Sequence, residues 1–101
     1  MTRVIISPRA DADVDDIVRY LSGRGGVELV QSYLYRFDDV YMRLAEFPGT
    51  GAARPKFGPL ARIATVAPYA IIYDWDASAD VVTVLRIIRG SRKITRRVVR
   101  G

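Results

Sequence analysis

The 101-residue sequence contains no cysteine and no histidine. The first absence excludes disulfides, thiolate nucleophiles and cysteine-ligated zinc. The second excludes Ser-His and Cys-His triads, HExxH metal sites and any imidazole acid or base. Any reaction would have to run on Arg, Lys, Tyr, Ser, Asp or Glu. No apolar run approaches the ~18 residues of a membrane span, and the short run at Val4-Ile5-Ile6 ends at Ser7-Pro8, so the amino terminus lacks a signal-peptide core. The expectation is a cytoplasmic protein without a membrane segment. Internal repeats and low-complexity stretches are also missing, and no cofactor or metal is expected.

What is present is a single domain's worth of hydrophobic residues, 50% of the chain, with ten aromatics. That is enough for one modest core over residues 1–101. The charge is lopsided. Residues 1–40 hold five basic and seven acidic side chains, and residues 41–85 hold four of each. The last sixteen residues hold Arg86, Arg89, Arg92, Lys93, Arg96, Arg97 and Arg100 with no acid, so the whole net charge of +5 arises there. Such a patch suits a polyanion, an acidic protein segment or an anionic surface.

Arg3 to Ile6 reads as a strand. Ser7 and Pro8 form a helix start, with Ser7 capping and Pro8 at the first position. Asp11, Asp13, Asp15 and Asp16 crowd the first turns, where the helix dipole favours negative charge. Val14, Ile17, Val18 and Leu21 share a face, and Gly23, Gly25 and Gly26 should stop this helix. A second helix is expected from about Val27 to Glu46, striped by Val27, Val30, Leu34, Phe37, Tyr41 and Leu44 and ended by Pro48. The two make an antiparallel hairpin over about 8–47. Residues 49–60 read as a loop; Arg62 to Ala67, Tyr69 to Trp75 and Val81 to Arg89 read as strands of a main sheet over about 61–90. Residues 91–101 form a basic tail, helical or extended.

The predicted class is α+β, in the order β-α-α-β-β-β, with the helical hairpin on one face of an antiparallel sheet of spatial order 1-4-3-2. In that arrangement the first strand pairs antiparallel with the last. Both alternating residue sets of the last two strands are apolar: Tyr69, Ile71, Tyr73 and Trp75 oppose Ala70 and Ile72, and Val81, Leu85 and Ile87 oppose Val82, Val84 and Ile88. A sheet with one helical cover should show a polar second face. Something must therefore cover that face: the tail, a second copy or a partner. The reading favours another polypeptide, which makes the isolated chain prone to associate.

The ordered set Ala10-Asp11…Val14-Asp15-Asp16-Ile17…Tyr20-Leu21, Phe47-Pro48-Gly49…Gly51…Arg54, Arg62…Pro68-Tyr69-Ala70-Ile71-Ile72-Tyr73 and Val84-Leu85-Arg86-Ile87-Ile88-Arg89-Gly90…Arg92 resembles the RelE/ParE superfamily of bacterial toxins over nearly the whole chain. The resemblance implies the toxin of a type II toxin-antitoxin system. Its partner would be a cognate ParD-like antitoxin with a DNA-binding N-terminal part and an acidic tail, bound as a hetero-oligomer. Two branches differ in chemistry. ParE-like (plasmid stabilisation) members poison DNA gyrase; RelE-like members cut messenger RNA on the ribosome without a metal. RelE-like catalysis would fall to Arg54, Lys56, Arg62 and Arg89, yet the C-terminal SRKITRRVVRG has neither the Tyr nor the His that those enzymes commonly carry. The Tyr-x-Ile-x-Tyr and Leu-Arg-Ile-x-x-Gly patterns look more like ParE, a binding protein for which no catalytic residue is assigned.

On the ParE-like reading the target-binding candidates are Arg86, Arg89, Arg92, Lys93, Arg96 and Arg97, and the antitoxin-binding candidates are Tyr33, Tyr35, Met42, Tyr73 and Arg62. Arg86 lies in an otherwise apolar strand, so its guanidinium needs a partner. Asp74 on the neighbouring strand is the candidate, leaving Arg86 open to a structural or a target-binding role. The run Asp74-x-Asp76-x-Ser78-x-Asp80 imitates half of an EF-hand loop, but Ala79 stands where Gly is needed and Leu85 where the bidentate Glu belongs, so a hairpin turn is expected.

Overall fold

The computed structural model describes residues 1–101. It contains β1 (Arg3–Ile6), α1 (Pro8–Glu46), β2 (Ala52–Ala53), a 3-10 turn (Pro55–Phe57), β3 (Ala61–Val66), β4 (Tyr69–Asp76), β5 (Val81–Arg89) and α2 (Arg96–Arg100). A straight helix of 39 residues would be about 58 Å long at 1.5 Å per residue. The molecule's greatest extent is 41 Å. The helical segment therefore folds back, and the break is Gly26 at φ 66, ψ −157, a left-handed conformation open to glycine. Gly23 and Gly25 stay helical, so the arms of the hairpin are 8–25 and 27–46.

The sheet order is β1-β5-β4-β3-β2. This is the expected four-strand order with one short strand added at the edge. That strand corrects the expected direction of β1, which runs parallel to β5, pairing Arg3 with Val81 and Ile6 with Val84. The loop at 49–60 contains β2, antiparallel to β3. It supplies one reversal that the simple count omits, and one reversal changes the parity of every later strand.

A second correction concerns the faces of β5. Its register against β4 shifts at Leu85: Tyr73 pairs with Val84 while Ile72 pairs with Arg86. This bulge puts Val82, Val84 and Ile87 on the helix side, in the main core with Phe37, Leu44, Ile71 and Tyr73, and Ile88 on the other side. Strict alternation cannot assign these residues across an inserted one. The backbone groups freed by the bulge are used by α1. Ser7 Oγ accepts from Ala10 N at 3.1 Å, capping the helix, and donates to Leu85 O at 3.0 Å. Ser7→Ala removes both bonds, and a loss of about 1–2 kcal/mol is expected in urea denaturation; an unchanged midpoint would contradict this account of the bulge.

The second face is covered by the chain itself. Phe57, Ala61, Ile72, Ile88 and Val99 form a smaller core, flanked by Ile63, Leu85, Ile94 and Val98. The tail forms α2, capped by Thr95, whose hydroxyl accepts from Val98 N. The expectation that another polypeptide must cap this face is thus overturned, because Ile94, Val98 and Val99 turn inward while the intervening cations point out.

Tyr41, in the second arm, has its phenol pKa pushed up to about 12, chiefly by burial and further by Asp38 and Asp11. The folded value exceeds the ordinary 10.0, so this contribution to stability is present below pH 10 and is lost as pH climbs towards 12. Tyr41→Phe should lessen the fall in stability above pH 10, read by urea midpoints on either side of that value.

Candidate functional site

Strand register places the candidate residues at two ends of the sheet. Ala61 pairs with Asp74, and Asp74 with Thr83, at one end; Val66 pairs with Tyr69, and Tyr69 with Arg89, at the other. Arg54 joins the first end, its amide donating to Ala61 O at 2.9 Å, and Lys56 follows in the 3-10 turn with its ammonium over the Phe57 ring. Six residues separate Thr83 from Arg89, about 20 Å of strand. The structure thus does not bring Arg54 and Lys56 together with Arg89.

Of the candidates for a partner surface, Tyr73 is turned inward and Arg62 is half-buried. Tyr73 is fully buried; its hydroxyl donates to Pro48 O at 2.8 Å and accepts from Gly51 N at 2.9 Å. Burial raises its pKa. Arg62 donates to Gly49 O at 3.0 Å and Gly51 O at 2.7 Å. Together they staple the 48–51 loop to the sheet, and Gly51 has to be glycine there, because a Cβ would lie 2.7 Å from Ile63 O. Tyr33 is half-buried, edge-on to Tyr69 at 5.8 Å and tilted against Phe37 at 6.4 Å, with Arg36 over its ring. Tyr35 and Met42 are open to solvent, 70% and 69% exposed. Val27 and Leu34 are also exposed on this arm, Leu34 at the margin of the core-facing stripe beside Phe37 and Tyr41, whereas the i, i+7 pair Tyr35 and Met42 faces away from the core.

Arg86 is buried, and its partner is Asp13 rather than Asp74. Nε donates to Asp13 Oδ2 at 2.7 Å and Nη2 to Oδ1 at 3.0 Å, while Nη1 donates to Val98 O at 2.6 Å. Asp13 Oδ2 also accepts from Ile87 N at 2.9 Å. The hydrogen bonds to Asp13 raise the guanidinium pKa further. β1 ends opposite Val84, so beyond that point β5 has no strand on this side, and the pair occupies the gap. Arg86 ties the first helical arm to the tail across the sheet edge. A signal for Asp13 was available: Ala10, Asp13 and Ile17 follow helical spacing on the inward face. Asp74 instead binds Arg100, at 2.6 and 2.8 Å, and Arg100 Nε donates to Phe57 O at 2.7 Å. The guanidinium packs against Gly58, at φ 140, where a Cβ has no room.

Two of the seven terminal cations are thereby engaged. Arg89, Arg92, Lys93, Arg96 and Arg97 are exposed and form no ion pair. Arg89 and Arg92 rim a cavity of about 490 Å³ between the first arm and β5, with Ile17, Tyr20, Tyr69 and Ile87 among its walls and Asp13 and Asp16 at its side. Burial raises the Tyr69 pKa, and the neighbouring Arg89 opposes that rise. The arrangement is an apolar hollow with a cationic lip.

The family model described as the ParE toxin of the type II toxin-antitoxin system parDE matches residues 4–94. This chain belongs to the ParE toxin family. Toxin ParE3 of Caulobacter vibrioides is 31% identical over 90 residues, 89% of this chain and 88% of that protein. A solved structure described as the chromosomal ParDE TA system from P. aeruginosa superposes with a TM-score of 0.72 at 23% identity, covering 88% of this chain and 96% of that one. The ParE fold is shared, and the chain is a ParE-type toxin of a toxin-antitoxin system. No helix of this ParE family member is long and apolar enough to cross a membrane.

Proposed function

We propose that this toxin acts by binding DNA gyrase and is silenced by direct binding of its cognate antitoxin. The observation that carries the reading is the run of free cations, Arg89 and Arg92 at the cavity lip and Lys93, Arg96 and Arg97 beyond it, on a chain that matches the ParE family along nearly its whole length. Arg86 supports the lip from inside. The dispersal of Arg54 and Lys56 from Arg89 argues against the RelE-like endoribonuclease. The antitoxin's amphipathic, acidic segment would lie on the second helical arm over exposed Tyr35 and Met42, and its charge would offset the terminal cations. Type II partners of this kind act in the cytoplasm.

The purified toxin is expected to inhibit gyrase supercoiling or trap gyrase–DNA cleavage complexes, and adding antitoxin should restore supercoiling. Arg89→Ala/Arg92→Ala should lose this inhibition while stability changes by no more than about 0.5 kcal/mol, since both side chains are exposed and unpaired. Undisturbed supercoiling together with cut messenger RNA in a translation system would overturn the proposal.

A further inference from the structure

The segment from Arg89 to Arg97 is an ordered ribbon. Gly90 N donates to Pro68 O at 2.7 Å, and Arg92 N donates to Arg89 O at 3.0 Å. Ile94 packs half-buried on the second core, Thr95 caps α2, and Arg100 clamps its end to Asp74 and Phe57. Five cations project from this pinned backbone. The nearby acids are already engaged: Asp13 by Arg86, Asp74 by Arg100, and Asp16 by Arg19 at 3.2 Å. The last acidic residue in the chain is Asp80.

We infer that this ribbon binds the phosphate backbone of duplex DNA directly, without sequence preference, whatever protein the toxin also binds. The apolar residues of the ribbon face inward, so its outer surface offers charge without the apolar anchors that hold a peptide. Nor does it offer a stacking platform for single strands. The ribbon itself has no aromatic residue; in the neighbouring cavity Tyr69 is buried and Tyr20 has Arg24 over its ring at 4.8 Å. A regular array of phosphates is the ligand that asks for fixed cations alone.

The test is a titration of the full chain against a mixed-sequence DNA duplex in the absence of gyrase and antitoxin, so its failure would leave the gyrase reading standing. Five phosphate contacts give a slope of log K on log salt near −4.5, or about a 500-fold loss of affinity between about 50 and about 200 mM salt. The variant Arg92→Gln/Arg96→Gln/Arg97→Gln should retain two contacts and lose only about 12-fold over that range. Arg43→Gln, on the second helical arm at the opposite face of the sheet from α2, should behave as wild type. The wild-type slope decides the matter independently of any variant's folding. No binding at the lower salt, a flat salt dependence, undiminished binding by the triple variant, tighter binding of the single strand, or displacement of the duplex by poly-glutamate at equal charge would each overturn the inference.

Discussion

Asp13→Ala should destabilise the fold by about 3–5 kcal/mol, the range for stripping one partner from a buried ion pair. The carboxylate serves three donors: two nitrogens of Arg86 and the amide of Ile87. Its loss would leave a guanidinium that is 8% exposed with Val98 O as its one remaining acceptor, and an amide at a strand bulge with none. Water cannot easily replace the carboxylate at the crossing of helix, sheet and tail. Asp13→Asn keeps an acceptor but not the charge and should fall between wild type and alanine. Asp13→Ala/Arg86→Met removes both charges and fills the gap with apolar volume, and it should recover much of the loss, because paired burial is costly to both ions. Urea denaturation of the wild type, Asp13→Ala, Arg86→Met and the double variant gives the coupling energy. A cost for Asp13→Ala no greater than about 0.5 kcal/mol, typical of the surface, would refute the role given to this pair.

The same pair marks where sequence reasoning succeeds and stops. The helical hairpin is legible because Val14, Ile17 and Leu21, then Phe37 and Leu44, recur at helical spacing around a glycine cluster. The strands are legible as β-branched runs, and their order follows from short connections. The direction of β1 is not legible, because Ala52–Ala53 is a strand only by virtue of pairing with Arg62 and Ile63. The facing of β5 is not legible either, since a bulge at Leu85 depends on Ser7 and Asp13 lying in wait from a distant helix. Ion-pair partners follow the same rule. Arg86 visibly needs a carboxylate, yet adjacency in the sheet points to Asp74, and Arg100 takes that residue from 26 positions away. Of the site, the cluster of terminal cations is readable as charge density. Which of them remain free is a tertiary fact.

Deleting residues 91–101 should leave a stickier, less stable protein. In the intact chain Phe57, Ala61, Ile72 and Ile88 are at most 3% exposed, and Val99 is covered to the same degree. Losing Val99 with half-buried Ile94 and Val98 removes at least about 3 kcal/mol of burial, at roughly 1.5 kcal/mol or more for each fully buried aliphatic side chain. It also strips Val98 O from Arg86 and Arg100 from Asp74. The uncovered face should bind an environment-sensitive apolar dye and drive concentration-dependent association in sedimentation. The deletion also removes Arg92, Lys93, Arg96, Arg97 and Arg100, taking the net charge from +5 to 0, and a neutral protein associates more readily for that reason alone. Ile94→Ser/Val99→Ser separates the two causes, because it keeps every cation while weakening the apolar cover. Dye binding by this double variant, with association weaker than in the deletion, is the expected result. A deleted chain that stays monomeric and as stable as wild type would mean that the tail rests on the sheet without holding it.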